Sequence, residues 1–422
     1  MQGVKDDADD SSKCTALAKL EQAEAALDQE IVRREFPLSL PLSESGCIYL
    51  NTGSNGRKPV SVLAAINEGW QKLNINPTYA TFIDPEPMQS ACAAFSRLLA
   101  VEPRQLILTQ NTTQGLQLIM HSLLNEPGDE LVTTNTEHGS VSSIARYLAE
   151  TRGVVTKRVD ADPKHGSRAL CDSLLNLVGD KTRLIVVSQI SSYTGWRADL
   201  RYLENEARRL GVPVLIDGAH SMGQLAGAEI IGESSLWVGS AHKWLGGPNG
   251  TGVTYIAPEM VSLLKPVAVG DHYYDVFDAD AADIGRFESG GTADVVRWYG
   301  VIRACQLQDI IGAEKICRKQ FALAQYLREE LERAYQPAFR LPSLREDGLA
   351  AEATALVSCN WPAERVKVPH LRDELWSKFK IWVQPDFLNA QPGLGIRVAC
   401  HYANTREEVD RLLEALQSFV AP

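Results

Sequence analysis

The sequence has no long hydrophobic run, no closely spaced cysteine pair and no excess of basic residues. Among its 422 residues, no apolar stretch approaches the roughly 20 residues that a membrane-spanning helix needs. The first residues are acidic and polar, which is not typical of a secretory signal peptide. We therefore expect a cytoplasmic protein without a membrane partner.

Cysteine spacing and net charge exclude further classes of protein. The eight cysteines are scattered along the chain, and a chain of this length needs neither a disulfide framework nor a structural metal. We expect mostly reduced cysteines and no metal. The formal net charge is -11, which disfavours non-specific attraction to nucleic acid or to an anionic membrane. A small molecule is the expected partner.

Short apolar runs alternate with helical patterns in the middle of the chain. Six runs are typical of buried strands, at 106–108, 130–133, 184–187, 212–216, 236–238 and 253–256. Strands that alternate with helices predict a mostly parallel α/β sheet. A helical stretch at about 298–334, strands at 355–358 and 395–398 and a final helix at 407–419 predict a smaller C-terminal α/β domain.

The N-terminal region has two parts. Residues 1–12 carry charge and no apolar face, so we expect a disordered tail. At about 15–34, apolar residues recur at three- and four-residue steps, which predicts one amphipathic helix. We expect residues 13–45 to form this helix and an arm packed on the small domain, residues 46–295 a large domain, and residues 296–422 the small domain.

Two charged residues follow predicted strands. Lys243 comes after the run 236–238 and before the glycine-rich stretch 246–252, where it is placed to form an imine with an aldehyde cofactor. Asp217 ends the run 212–216, at the strand end where ligands bind in open α/β sheets, and it can pair there with a pyridinium nitrogen. Each residue alone also allows a simpler interpretation: Lys243 as a solvated lysine at a strand end, and Asp217 as a helix N-cap.

Hydroxyl and imidazole groups follow two further strands. Thr112 and Thr113 stand between a strand and a helical stretch, and a helix N-terminus with hydroxyls is suited to phosphate, although threonine is also a common helix cap. His138 follows the run 130–133 and would reach the same edge of the sheet. A histidine there could stack on a planar cofactor, although a lone histidine is more often structural.

Taken in order, these segments resemble one protein family. The order Asn-Thr-Thr-Gln-Gly, Thr-Glu-His, Ile-Asp-Gly-Ala-His-Ser and Ser-Ala-His-Lys-Trp is similar to that of the class V aminotransferases, a group that includes cysteine desulfurases, cysteine/cystine C–S lyases, isopenicillin N epimerases and kynureninases. As an ordered set the motifs are specific, whereas each alone is not. The resemblance implies the aspartate-aminotransferase-like fold, with a large domain around a mostly parallel seven-stranded sheet and a smaller C-terminal α/β domain, and it implies a homodimer.

The resemblance also implies a role for each candidate residue. Lys243 would carry pyridoxal 5'-phosphate as a Schiff base, Asp217 would hold the pyridine nitrogen, and His138 would stack on the ring. Further cofactor contacts would come from His220 near the ring hydroxyl, from Thr112, Thr113, Ser240 and His242 at the phosphate, and from Thr292 of a second subunit. Arg397 would bind the substrate carboxylate in a bidentate fork, with a surface salt bridge as the alternative. Thr52, Gly53 and Ser192 would also contact the substrate.

Two departures from the family pattern bear on the reaction. Cysteine desulfurases resemble one another in a loop with a nucleophilic cysteine, whereas residues 383–393 here contain none, which argues against persulfide relay. Residues 191–196 lack the Asn of many relatives, so the substrate stays open. Residues 396–402 and the His-Lys-Trp sequence resemble the C–S lyases, which implies elimination of sulfur from cysteine, cystine or a cysteine conjugate. An epimerase, an aminotransferase and a non-catalytic protein that kept the fold are the alternatives.

Overall fold

The computed structural model describes residues 7–37, 46–161, 165–269, 284–288, 291–335, 338–339, 354–385 and 394–421. The α-helices are α1 (Asp7–Ala25), α2 (Gln29–Glu35), α3 (Val60–Ile75), α4 (Pro77–Phe82), α5 (Glu86–Leu99), α6 (Thr112–Leu123), α7 (Gly139–Arg152), α8 (Gly166–Leu175), α9 (Leu200–Arg209), α10 (Ala228–Ile231), α11 (Pro258–Val261), α12 (Val296–Ile311), α13 (Ala313–Tyr335), α14 (Leu371–Phe379) and α15 (Arg406–Leu416). Short 3-10 helices cover Pro103–Gln105, Ile284–Phe287 and Ala363–Arg365.

The strands are β1 (Ile48–Tyr49), β2 (Leu106–Thr109), β3 (Glu130–Thr134), β4 (Val155–Val159), β5 (Thr182–Ser188), β6 (Val214–Asp217), β7 (Leu236–Ser240), β8 (Gly252–Ile256), β9 (Ala338–Phe339), β10 (Leu356–Asn360), β11 (Ile381–Trp382), β12 (Gln384–Pro385) and β13 (Gly395–Ala399).

The chain divides into two compact units. Unit 1 comprises Met1–Arg57, Tyr193–Trp196 and Ile310–Pro422, and unit 2 comprises Lys58–Ser192 and Arg197–Asp309. These bounds differ from those expected for the domains, since most of α12 belongs to unit 2.

Unit 2 is built on a seven-stranded sheet. The strand order is β2-β8-β7-β6-β5-β3-β4. Strand β8 runs antiparallel to β2 and β7, and the other neighbouring pairs are parallel. Strands β6, β7 and β8 are buried along their whole length, as expected for apolar strands that helices cover on both faces. The predicted mostly parallel seven-stranded sheet is confirmed.

The parallel strands of this sheet bring several turns to one edge. Strands β3, β5, β6 and β7 are neighbours and point the same way, so their carboxyl ends lie side by side. The segments that follow β3, β6 and β7 contain His138, His220 and Lys243. In open α/β sheets this is the edge at which ligands bind.

Unit 1 contains two small sheets. Strands β12-β13-β10-β9 form an antiparallel sheet, and β1 pairs with β11 in parallel. Leu323 and Leu327 of α13, Val398 of β13 and Leu412 of α15 belong to the buried cluster at its core. Strands β10 and β13 and helix α15 agree with the predicted C-terminal elements. Among the helices that the structure describes, none has the length and hydropathy of a membrane-spanning segment.

Three elements differ from the expectations. The single helix expected at about 15–34 is two helices, because Asp28 caps α2 by accepting hydrogen bonds from the backbone N–H groups of Glu30 and Ile31, each over 3.1 Å. Helix α1 begins at Asp7, within the expected tail at residues 1–12, and residues 1–6 lie outside the described residues, so the disorder of the tail stays a prediction. The stretch at 298–334 is also two helices, separated by Gly312 at φ +95°. Strand β4 (Val155–Val159) was not predicted from the sequence.

Candidate active site

Lys243 lies on the turn that follows β7. The backbone N–H of Ala241 donates a hydrogen bond to the carbonyl oxygen of Thr251 over 3.0 Å. The backbone N–H of Gly247 donates one to the carbonyl oxygen of Ala241 over 2.8 Å. A Cβ atom at Gly247 would lie 2.9 Å from the Cβ of Ala241, closer than side chains pack. The glycine-rich stretch after the lysine therefore folds back on the turn and holds its backbone in place.

Asp217 is the last residue of β6 and is buried. Its Oδ1 accepts a hydrogen bond from the backbone N–H of Ala219 over 2.9 Å. Burial raises the pKa of this carboxyl, while that hydrogen bond and the positive charges of Lys243 and His138 lower it. A buried carboxylate needs a cation or donors close by, and this setting suits a protonated ring nitrogen.

The two histidines at this edge have different partners. His138 is the N-cap of α7, and its Nδ1 accepts a hydrogen bond from the backbone N–H of Ser140 over 3.2 Å. His220 is buried, with Nδ1 3.1 Å from the indole Nε1 of Trp244 and Nε2 3.3 Å from the Nζ of Lys243. The structure thus brings His220 and Lys243 together, and it couples Lys243 and His138 to Asp217 through their charges.

Hydroxyl groups gather at the N-terminus of α6. The backbone N–H of Thr112 donates to the Oγ of Ser240 over 3.0 Å, and the two hydroxyl oxygens lie 2.6 Å apart. The Oγ1 of Thr113 lies 2.9 Å from the Oγ of Ser140. The first turn of this helix and the end of β7 are therefore joined, which brings the predicted phosphate contacts Thr112 and Ser240 together.

His242 and Lys58 form a second polar pair beside the lysine. Burial, together with the charges of Lys243 and Lys58, lowers the pKa of His242 to about 4, so its ring is neutral near pH 7. In the part of the chain that the structure describes, its buried Nδ1 has no hydrogen-bond partner. The Nζ of Lys58 donates to the carbonyl oxygen of His242 over 3.1 Å, and burial lowers the pKa of Lys58 to about 8.

Arg397 lies on β13 in unit 1 and is 7% exposed. Its guanidinium donates to the Oδ1 of Asn51 over 3.3 Å and to the Oγ of Ser54 over 3.0 Å. Burial lowers the pKa of the guanidinium to about 10, against the effect of Tyr193 and Tyr49. Its burial is inconsistent with a surface salt bridge, and a buried cation favours an anionic ligand.

The other predicted contacts lie in different settings. Thr52 and Gly53 are buried in the turn between Asn51 and Ser54 in unit 1, and Ser192 is buried in unit 2. Thr292 is exposed. The roles proposed for these four residues stay predictions. Residues 386–393 of the segment without cysteine lie outside the described residues.

Sequence reasoning missed three polar residues of these sites. Asn51 and Ser54 hold Arg397 from a turn more than 340 positions away in the chain. Glu137, between Thr136 and His138, is buried, and its carboxyl accepts hydrogen bonds from the hydroxyls of Thr134 and Ser188 over 2.8 and 2.5 Å. The available signal for Glu137 was a carboxyl residue in the short segment after an apolar strand, which is weaker than the signal for Asp217 at the very end of its strand.

The donor set of unit 2 fits pyridoxal phosphate. It offers a lysine amine for the aldehyde, a buried acid for the ring nitrogen, and hydroxyls at a helix N-terminus for the phosphate. Among the described residues, no group of three or more His, Cys, Asp or Glu side chains is arranged to hold a metal ion.

The class of protein follows from comparison with known families. The model of the family described as aminotransferase class-V matches residues 48–361, and the chain belongs to that family. It is therefore a pyridoxal-phosphate-dependent enzyme, as the ordered motifs implied.

Several known proteins are similar to the chain along most of its length. The isopenicillin N epimerase of Streptomyces clavuligerus is 26% identical over 388 residues, covering 88% of this chain and 94% of that protein. A cysteine desulfurase of Pectobacterium carotovorum is 27% identical over 427 residues, covering 92% and 97%. A solved structure of the cystine C–S lyase C-DES with its reaction product cysteine persulfide has a TM-score of 0.76 at 24% identity and covers 92% of this chain and all of that one. This last likeness shows the fold.

Proposed function

We propose that this enzyme eliminates sulfur from cysteine, cystine or a cysteine conjugate. The observation that carries the proposal is that the neighbouring parallel strands β6 and β7 bring the buried Asp217 and the turn that contains Lys243 to the same edge of the sheet. The choice of C–S cleavage is supported by the absence of cysteine from residues 383–393, by the resemblance of residues 396–402 to C–S lyases, and by fold similarity to a cystine C–S lyase. A homodimer and a cytoplasmic location belong to the same proposal.

The cofactor, when bound, supplies an aldehyde that binds amines and a ring that accepts electrons from a bond broken at Cα. In this mechanism Asp217 would hold the protonated ring nitrogen, and His138 would stack on the ring. The phosphate would be held by Thr112, Thr113, Ser240 and His242, and His220 would lie near the ring hydroxyl. Arg397 orients the substrate through its carboxylate.

Lys243 acts as the base of the reaction. Its Nζ takes the Cα proton, and the electron pair left behind expels the sulfur from Cβ as a thiolate or persulfide. Water then releases the remaining three-carbon fragment as pyruvate and ammonia. Cysteine and water give pyruvate, ammonia and hydrogen sulfide, whereas cystine and water give pyruvate, ammonia and cysteine persulfide.

The test is product analysis of the enzyme loaded with pyridoxal phosphate. We expect pyruvate and ammonia in equal amounts from at least one of cystine, cysteine or a cysteine S-conjugate. Lys243→Ala should lose at least about 1000-fold in rate while it keeps the circular dichroism spectrum of the wild type. Absence of pyruvate with all three substrates contradicts the lyase proposal.

Epimerisation is the second candidate, because the chain is similar to an isopenicillin N epimerase over 388 residues. An epimerase must deliver a proton to both faces of Cα. Exchange of the Cα proton for deuterium with inversion, and without pyruvate, would favour it. A keto acid with an aminated cofactor would indicate transamination.

A further inference from the structure

Trp244, His220 and Lys243 form a chain of polar contacts in unit 2. The indole Nε1 of Trp244 lies 3.1 Å from the Nδ1 of His220, and the Nε2 of His220 lies 3.3 Å from the Nζ of Lys243. Trp244 is 0% exposed and His220 is 2% exposed, so bulk water does not compete for the contact between them.

The indole fixes the tautomer of the imidazole. An indole N–H can only donate a hydrogen bond, so the Nδ1 of His220 must accept it. A neutral imidazole that accepts at Nδ1 carries its proton on Nε2, and an imidazolium, protonated on both nitrogens, would lose the bond to Trp244. The N–H of His220 therefore faces the nitrogen of Lys243.

A donor in this position favours one protonation state of the lysine. An ammonium group has three donors and no acceptor, so a charged Lys243 would meet the N–H of His220 donor against donor. An uncharged amine nitrogen can accept that hydrogen bond. The contact therefore stabilises the uncharged amine relative to the ammonium.

We propose that Trp244 is a positioning residue which, through the fixed tautomer of His220, holds Lys243 in its uncharged, proton-accepting form. The proposal rests on the proposed function, in which Lys243 binds the cofactor and takes the Cα proton. It assigns to Trp244 and His220 the control of the pH at which this lysine becomes reactive.

Other ionisable groups act on the same region. Asp217 at the end of β6 attracts a charged lysine, whereas a charge on His242 would repel it, and Lys58 disfavours that charge on His242. From the turn after β3, His138 acts on Asp217, and Glu137 is coupled to Asp217. These groups are unchanged in the variants below, so a difference between variants reports the contact of Trp244 with His220.

The experiment measures the reactivity of Lys243 in the full-length, cofactor-free protein. Only an uncharged amine reacts with acetic anhydride, so the labelling rate of the Lys243 peptide, followed by mass spectrometry against pH, gives a midpoint. Trp244→Phe keeps an aromatic ring but removes the donor, which frees the Nε2 of His220 to accept from an ammonium. We expect its midpoint to rise by about one pH unit, equivalent to tenfold slower labelling below the midpoint.

A matched control and a double variant separate this role from a structural one. Trp237 is also fully buried, but its Nε1 donates to the Oε1 of Gln189 over 3.1 Å, so Trp237→Phe should leave the midpoint unchanged. His220→Leu should raise the midpoint, and adding Trp244→Phe to it should cause no further shift, because Trp244 acts through His220. A wild-type midpoint in His220→Leu overturns the proposal even if Trp244→Phe does not fold, and so does an equal shift by Trp244→Phe in both backgrounds.

A parallel measurement distinguishes failure of this proposal from failure of the proposed function. The protein is incubated with pyridoxal phosphate, reduced with borohydride and mapped by mass spectrometry. A label on Lys243 with unmoved midpoints overturns only the role of Trp244 and His220. A label on another lysine, or no label, overturns the assignment of Lys243 itself.

Discussion

Glu137 is a carboxyl group buried beside the candidate cofactor site. Its two oxygens accept hydrogen bonds from the hydroxyls of Thr134 and Ser188, and Ser188 is paired in register with Asp217. Burial raises the pKa of Glu137 to about 7, with a further contribution from the charge of Asp217, against the hydrogen bonds from the two hydroxyls. Near neutral pH this side chain is therefore poised between its protonated and ionised forms.

The raised pKa of Glu137 predicts a pH-dependent stability. Between the ordinary value of 4.5 and about 7, the unfolded chain ionises this carboxyl while the folded chain keeps it protonated, so the free energy of unfolding falls as pH rises through that window. Glu137→Gln mimics the protonated acid. We expect it to raise the free energy of unfolding by about 1–3 kcal/mol at pH 8 and to change it little at pH 4.5.

Urea unfolding followed by circular dichroism at both pH values measures this effect. The control is Glu150→Gln, because Glu150 is exposed on α7, and it should give the same small difference at either pH. A Glu137→Gln protein that is less stable than the wild type at pH 8 would mean that the ionised glutamate is the form that the fold stabilises.

At this scale the sequence predicts residue positions better than residue partners. Lys243, Asp217 and His138 were identified because each follows an apolar strand of a parallel sheet, so period and order along the chain were sufficient. The partners of Glu137 and Trp244 depend on strand register and on turn conformation. Ser188 lies 51 positions from Glu137, and His220 lies 24 from Trp244, and no local pattern encodes such contacts.

The elements around the site depend on helix α6, which packs directly on the sheet. A Cβ atom at Gly115 of this helix would lie 2.4 Å from the Oγ1 of Thr254 and 2.6 Å from the Cγ1 of Val238. Only a glycine allows so close an approach of helix and strands. The packing in turn sets where Thr112 and Thr113, in the first turn, meet the end of β7.

Gly115→Ala should therefore weaken both the fold and the phosphate site. We expect a loss of about 2–3 kcal/mol in the free energy of unfolding from overpacking, together with weaker binding of pyridoxal phosphate as the helix moves outward. Gly139→Ala is the matched control, since Gly139 begins α7 and a Cβ there would meet nothing within 4 Å. Thermal unfolding and fluorescence titration with the cofactor measure the two effects, and a Gly115→Ala protein that matches Gly139→Ala in both would refute the close packing.

The hydrophobic pattern predicted the buried elements and missed those that depend on single residues. The central strands are apolar along their length, so the six predicted runs correspond to β2, β3, β5, β6, β7 and β8. Strand β4 pairs with β3 at the sheet edge and contains the polar residues Thr156, Lys157 and Arg158 between two valines, so it lacks the continuous apolar run of the central strands. The helix breaks at Asp28 and Gly312 arise from one cap and one left-handed residue, which periodicity cannot register.

One continuous stretch of the sequence in unit 2 exposes several large apolar side chains. Helices α3 and α4 and the residue after them present Trp70, Ile75, Phe82 and Ile83, which are 52%, 84%, 64% and 62% exposed. A concentration of apolar surface of this kind is typical of a protein interface. Because homodimers are the commonest oligomers and the family resemblance implies one, we propose that this stretch takes part in contact with a second copy of the chain.

Sedimentation equilibrium tests the dimer. We expect about twice the mass of one 46.3 kDa chain at micromolar concentration, and a shift to monomer in the double variant Ile75→Lys, Phe82→Lys, because two buried, unpaired charges at an interface cost several kcal/mol. Leu210→Lys is the control, since Leu210 is 54% exposed just after α9 and lies outside the proposed interface.

The same variants test whether the second copy completes the cofactor site. If Thr292 contacts the phosphate of the partner subunit, the monomeric double variant should bind pyridoxal phosphate more weakly, and Thr292→Ala should weaken binding in a protein that is still a dimer. The loss of one hydrogen bond to a charged phosphate corresponds to about 1.5–3 kcal/mol, or roughly 10- to 150-fold in affinity. A monomeric variant with wild-type affinity would mean that each chain holds the cofactor alone, and a wild-type protein that sediments as a monomer would exclude the dimer itself.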